Sequence, residues 1–196
     1  MNVFSGTQPA AAIRLLAISG SLRRASHSTA VLRHMAKLLP ADAEQRLFTL
    51  EEIPPYDGDL DGPQPPAAVA ELKDAIAQAD GLVICSPEYN YGMPGVLKNA
   101  IDWASRPAFV SPLKGKPALV ITASPGALGG VRAQAQIRDA LAATLARPLS
   151  RPHVAIPLIA SRFQDGRLSD ATTLEMLQAG LADLLAEIRL LAAARG

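Results

Sequence analysis

Three stretches concentrate the side chains able to do chemistry. The longest, SPEYNYGMPGVLKNAIDW from Ser86 to Trp103, sets Glu88, Tyr89, Asn90 and Tyr91 between Pro87 and Pro94, with Gly92 and Gly95 beside them. The prolines stiffen this corner, the glycines permit close approach or positive φ, and Asn90 suits a left-handed turn. Exposed amides here could hydrogen-bond the edge of a flat heterocycle while Tyr89 and Tyr91 flank its faces. The same residues also make an ordinary turn with a solvated Glu88. Glu88 could be a general acid or base, yet no His or second carboxylate lies near it in sequence.

The second stretch, GSLRRASHS, begins at Gly20. It has one glycine and no Gly-Lys-Ser/Thr, so it is neither a dinucleotide fingerprint nor a Walker loop. It offers the hydroxyls of Ser21, Ser26, Ser28 and Thr29 and the guanidinium of Arg23, just ahead of a helical pattern. Free N–H groups and the dipole at a helix start favour an anion. The set can wrap a terminal phosphate, although Ser26 or Ser28 is also a good N-cap by itself. Arg24 reads as a surface charge.

Other reactive groups are sparse. His27, His34 and His153 are scattered and show no catalytic or metal-ligand spacing. Cys85, the only cysteine, lies within an apolar run and reads as core. A single cysteine also excludes an intrachain disulfide framework and fits a reducing compartment.

Short apolar runs must position these loops. Arg14–Ser19, Gln45–Thr49, Gly81–Ser86, Ala118–Ala123 and His153–Ile156 read as strands. Between and after them, Ser28–Leu39, Pro66–Ala79, Val96–Ser105, Gly130–Leu145 and Ala171–Ala194 carry helical spacing. This alternation predicts a parallel α/β sheet with right-handed crossovers, covered on both faces. In the order 2-1-3-4-5, the flavodoxin-like three-layer sandwich with five parallel strands, ligands bind where the order reverses, between strands 1 and 3. The two loops after those strands would then share one crevice. Glu51–Pro66, rich in Pro and Asp, reads as a long surface loop. Leu97, Ile101 and Ala104 form one face of the third helix, and Trp103 falls off it, as if to meet a partner subunit or cover the core rim.

The 196 residues fit one domain, 13–196, behind a flexible lead-in, 1–12. Hydrophobic residues make up 49%, enough for a full core. A net charge of +1 with no charged runs argues against nucleic acid as the main partner. No secretory start and no bilayer-length apolar stretch is visible, so we expect a cytoplasmic protein without a membrane partner.

The third stretch, Ser124–Gln134 (SPGALGGVRAQ), follows the fourth strand and borders the same crevice in that order. Ser124 and the glycines could donate N–H and O–H groups to a carbonyl edge, or simply turn the chain and cap the next helix.

Together GSLRRASHS, PEYNYGMPGVLKNAIDWASRP and GKPALVITASPGALGGVRAQ resemble the NAD(P)H-dependent FMN reductase family, a flavodoxin-like group that includes bacterial quinone and chromate reductases. The resemblance runs from Gly20 to Gln134 and fades after Ala142. It implies that Ser21, Arg23, Ser26 and Ser28 hold the FMN phosphate, Ser28 standing where the family often has Asn. It implies that Pro87, Glu88, Tyr89, Asn90 and Tyr91 line the isoalloxazine, largely through backbone groups, and that Ser124 and Gly126 border its pyrimidine side. No side chain need be catalytic, because the flavin carries hydride from NADPH or NADH to a small-molecule acceptor: a quinone, chromate, an azo dye or free flavin. Leu97–Arg106 resembles the family's subunit contact, which implies a homodimer or homotetramer. Arg106 and Arg132 are candidates for a 2′-phosphate contact. The rival readings are a flavin-binding electron carrier and a redox sensor, both without efficient NAD(P)H turnover. Carriers are usually strongly acidic, and this chain is not.

Overall fold

The structure is a computed structural model and describes residues 12–194. The expected lead-in therefore lies outside the described residues, apart from Ala12. The main sheet contains β1 (Ile13–Ser19), β2 (Ala43–Phe48), β3 (Gly81–Ser86), β4 (Pro117–Ala123), β5 (Arg147–Pro148) and β6 (Val154–Ile156). All pairs are parallel, in the order β2-β1-β3-β4-β5, with β6 also on β4. Ala17 faces Leu47 on one side and Val83 on the other, while Ser86 faces Thr122. The chain therefore leaves β1, β3 and β4 at the same end of the sheet.

Period-two alternation divides the core into two. Leu15, Ala17, Val83, Cys85, Leu119 and Ile121 pack under α1 (His27–Met35) and α5 (Ala171–Ala193). Leu16, Ile18, Leu82, Ile84 and Val120 pack under α2 (Ala67–Gln78), α3 (Gly95–Ala104) and α4 (Val131–Ala143). Burial on both faces explains why the central strands read as nearly unbroken apolar runs.

The edge departs from the expected single fifth strand. It is split into β5 and β6 on either side of residues 149–153; Pro148, which ends β5, and Pro152, which precedes β6, lack the N–H that a ladder needs. A hairpin absent from the sequence reading joins β7 (Phe163–Gln164) to β8 (Arg167–Leu168) through Asp165 and Gly166, both at positive φ. The Phe163 ring stands 5.3 Å from that of His27 on α1.

Trp103 shows why α3 carries apolar residues off its main face. The ring is fully buried, and its Nε1–H donates to the Pro54 carbonyl at 2.8 Å. Asn99 Nδ2 donates to the same carbonyl at 2.8 Å, and Asn99 Oδ1 accepts the Tyr56 N–H at 2.7 Å. Tyr56 meets Trp103 edge-on at 4.8 Å. The spare aromatic thus anchors the Pro-rich loop of its own chain and does not face a partner. No helix among the described residues is long and apolar enough to cross a membrane.

Candidate functional site: the crevice at the ends of β1, β3 and β4

The loops after β1 and β3 meet because the chain there has almost no width. Gly20 N–H donates to the Cys85 carbonyl at 2.8 Å, and a Cβ on Gly20 would lie 2.5 Å from Ser86 Oγ. Any larger residue would push the first loop off the second.

In the first loop, Ser26 is the N-cap of α1 and its Oγ accepts the Thr29 N–H at 3.2 Å. Ser21 Oγ accepts the Arg23 N–H at 3.4 Å. Both hydroxyls act as acceptors, so each keeps its proton to donate. Ser19 and Thr29 join hydroxyls at 2.8 Å beneath them. Arg23 is exposed and makes no ion pair among the described residues. Two O–H donors, a free guanidinium and the first turn of a helix match the donor set that a terminal phosphate requires. Ser28 departs from this pattern. It is buried and lies beside the Cys85 thiol, so its side chain supports the loop from within. Burial pushes that thiol up to about 12, which removes it as a nucleophile near neutral pH.

The second loop is a two-residue hairpin turn. Tyr89 and Gly92 exchange N–H···O bonds of 2.9 and 3.0 Å, with Asn90 at φ 50° and Tyr91 at φ 65° between them. Two positive φ values define the type I′ class. Asn90 therefore takes the expected left-handed position, but Tyr91 takes the other, not a glycine. Gly92 serves close approach instead: a Cβ there would meet Gln136 Oε1 at 2.5 Å. Gln136 Oε1 accepts the Met93 N–H at 3.0 Å and fixes the turn to α4. Gly95 opens α3 with nothing near its missing Cβ.

Glu88 does not wait in solvent as an acid or base. Its Oε2 accepts the N–H groups of Arg132 and Ala133 at 2.9 and 3.1 Å, capping α4, and its side chain is 13% exposed. Gly130, the N-cap of that helix, has no side chain to do so. Arg132 then lies over Tyr91, with Cζ 4.2 Å from the ring centroid. Spacing along the chain could not reveal the Glu88 cap, because Glu88 and Arg132 lie 44 residues apart.

The third loop donates less than its sequence promised. Ser124 N–H is engaged by the Ile156 carbonyl at 3.1 Å, and Gly126 N–H by Ser124 Oγ at 3.0 Å. The Ser124 hydroxyl proton remains free to donate. Gly129 and Gly130 carry the positive φ, and a Cβ on Gly129 would strike Ala155 at 2.9 Å. Gln134, fully buried, donates to the Val154 carbonyl at 2.9 Å and holds β6 against α4. Neither glutamine had a sequence signal. No group of three or more His, Cys, Asp or Glu that could hold a metal occurs among the described residues.

Hydroxyl donors at a helix start, a rigid aromatic turn and a polar third loop thus meet at one switch point. The sequence profile of NADPH-dependent FMN reductases matches residues 13–160. The chain belongs to that family. It is an oxidoreductase of the FMN- and NAD(P)H-dependent kind. It is 41% identical over 178 residues to an NAD(P)H-dependent FMN reductase of Pseudomonas aeruginosa, covering 90% of this chain and 96% of that one. It is 40% identical over 169 residues to a quinone reductase of Escherichia coli K12, covering 84% and 89%. The solved structure of FerB, a flavoenzyme NAD(P)H:(acceptor) oxidoreductase from Paracoccus denitrificans, superposes with a TM-score of 0.82 at 34% identity, covering 90% of this chain and 97% of that one.

Proposed function

We propose that the crevice binds FMN and that the protein reduces quinones at the expense of NAD(P)H. The observation that carries this reading is the meeting of the β1 and β3 loops through Gly20 and Ser86, which joins hydroxyl donors to an aromatic turn. Bound FMN would supply the redox chemistry, hydride from NAD(P)H in and two electrons out to the acceptor. The protein's part is to bind and orient. Ser21, Ser26 and Arg23 hold the phosphate, and Ser28 steadies α1 beneath them. The backbone from Pro87 to Tyr91 lines the ring edge, the Tyr89 and Tyr91 side chains flank the open face, and Ser124 with Gly126 borders the far side. Glu88 sets the distance between the turn and α4. The relatives' names support quinones as acceptors. Chromate, azo dyes and free flavin are further acceptors that an open stacking face admits. We place the protein in the cytoplasm as a homodimer or homotetramer. Exposed Phe109 and Val110, just after α3, support an oligomer contact in that region.

The test is direct. The purified protein should show a flavin spectrum, alone or after FMN is added, and should consume NADPH steadily with benzoquinone. Bleaching without turnover would instead favour an electron carrier or redox sensor. A protein unable to take up FMN would end the reading.

A further inference from the structure

Arg132 is held in a way that packing alone does not demand. Its guanidinium lies on the Tyr91 ring at 4.2 Å, its Nη1 is 3.8 Å from Glu88 Oε1, and its side chain is 49% exposed. Stacking engages the flat face of a guanidinium, while its N–H donors lie in the plane and stay available at the edge. Glu88 leaves that edge largely free. One of its oxygens is engaged by two helix N–H groups, and the other stands beyond hydrogen-bond distance from Nη1.

Tyr91 also sits at a cost. It is 70% exposed at φ 65°, where glycine or asparagine is the unstrained choice. A strained aromatic at the tip of a rigid turn points to a use for its ring. Arg106 has a different setting: its guanidinium lies 5.7 Å from the Tyr56 ring centroid, with Nε buried under the Pro-rich loop.

We propose that Arg132, seated on Tyr91, reads a phosphate of the nicotinamide dinucleotide while the nicotinamide end enters the crevice. This rests on the FMN reading above. The phosphate is either the 2′-phosphate of NADPH or the diphosphate shared with NADH.

The test uses FMN-loaded wild type, Arg132→Ala and Arg132→Lys with saturating benzoquinone and three donors: NADPH, NADH and uncharged 1-benzyl-1,4-dihydronicotinamide. For Arg132→Ala, kcat/KM with NADPH should fall about 10- to 100-fold, mostly through KM, as expected for a lost charge-assisted contact. Arg132→Lys should recover part of the loss, and the uncharged donor should be unaffected. A loss with NADPH alone assigns the 2′-phosphate, and equal losses with NADPH and NADH assign the diphosphate. Calorimetric titration with NADP+ should show the same factor without turnover. Any other pattern overturns the proposal, including equal losses with all three donors or no loss at all. Such a failure leaves flavin absorbance and wild-type turnover intact. A wild type without either would bring down the FMN reading as well.

Discussion

Gly130 starts α4 with no side chain, and Glu88 supplies the missing cap from another loop. A Cβ on Gly130 would stand 3.0 Å from Thr122 Cβ and 3.5 Å from Glu88 Cβ, so the small residue and the reaching carboxylate belong together. Glu88→Ala should destabilise the protein by about 1–2 kcal/mol in urea unfolding, since two helix N–H groups lose their acceptor. Glu88→Gln keeps an acceptor oxygen and should cost less. Its pH–rate profile should keep the wild-type shape. Loss of one limb would mean that Glu88 transfers a proton after all.

Ser26 caps α1 and, in the proposed function, also donates to the phosphate, and the two roles separate by charge. Asp is as good a cap as Ser. Ser26→Asp should therefore keep the melting temperature of the flavin-free protein while FMN binding falls at least about 100-fold, because a carboxylate would face the phosphate. Arg23→Ala should weaken FMN about 10-fold, the size of one charge-assisted contact. Unchanged FMN affinity in both variants would remove the first loop from the site.

Tyr91→Gly relieves a left-handed tyrosine. The variant should be no less stable than wild type, and up to about 1 kcal/mol more so, while its kcat/KM for NADPH falls. A marked drop in stability would show that the ring supports the fold.

Trp103→Phe removes the N–H that holds Pro54, although Asn99 still donates to the same carbonyl. We expect a loss of about 1–3 kcal/mol and faster proteolysis within residues 51–66. Dissociation of an oligomer with unchanged stability would return Trp103 to a subunit face.

Asp170 caps α5. Its Oδ1 accepts Thr173 Oγ1–H at 2.6 Å and Thr173 N–H at 2.9 Å, and its Oδ2 faces Arg162 Nη1 at 3.0 Å. The bond from the Thr173 hydroxyl, then its N–H, then Arg162 hold the carboxyl below its ordinary range. A depressed folded value stabilises the native state above the unfolded value and is lost as pH falls through the folded one. The stability gap between wild type and Asp170→Asn should stay constant above about pH 5 and shrink below about pH 4. A constant gap throughout would rule out this linkage.

The fold was legible because the buried central strands leave unbroken apolar runs, as Gly81–Ser86 does to the residue. The split edge was harder to see, since β5 spans two residues and carries a proline. The Asp165–Gly166 hairpin did carry a signal, a dipeptide favoured in tight turns. In the site, residue types located the loops and the first N-cap. Contacts that cross between loops were not legible: Glu88 to α4, Gln136 to Gly92, and Ser28 turned toward Cys85. Each depends on a distance set by the sheet, which local spacing does not encode.

The turn between Tyr89 and Gly92 is fastened at its stem, by its own ladder bonds and by Gln136, while the Tyr91 ring at its tip is largely exposed beside Arg132. Residue 91 can therefore change without loosening the stem's hydrogen bonds. What docks against the open face becomes a trait that evolution can adjust separately from the redox centre. On the proposed function, acceptor range can then drift, and can be engineered, by side-chain changes at the tip and at its stacking partner that leave the turn's main chain in place.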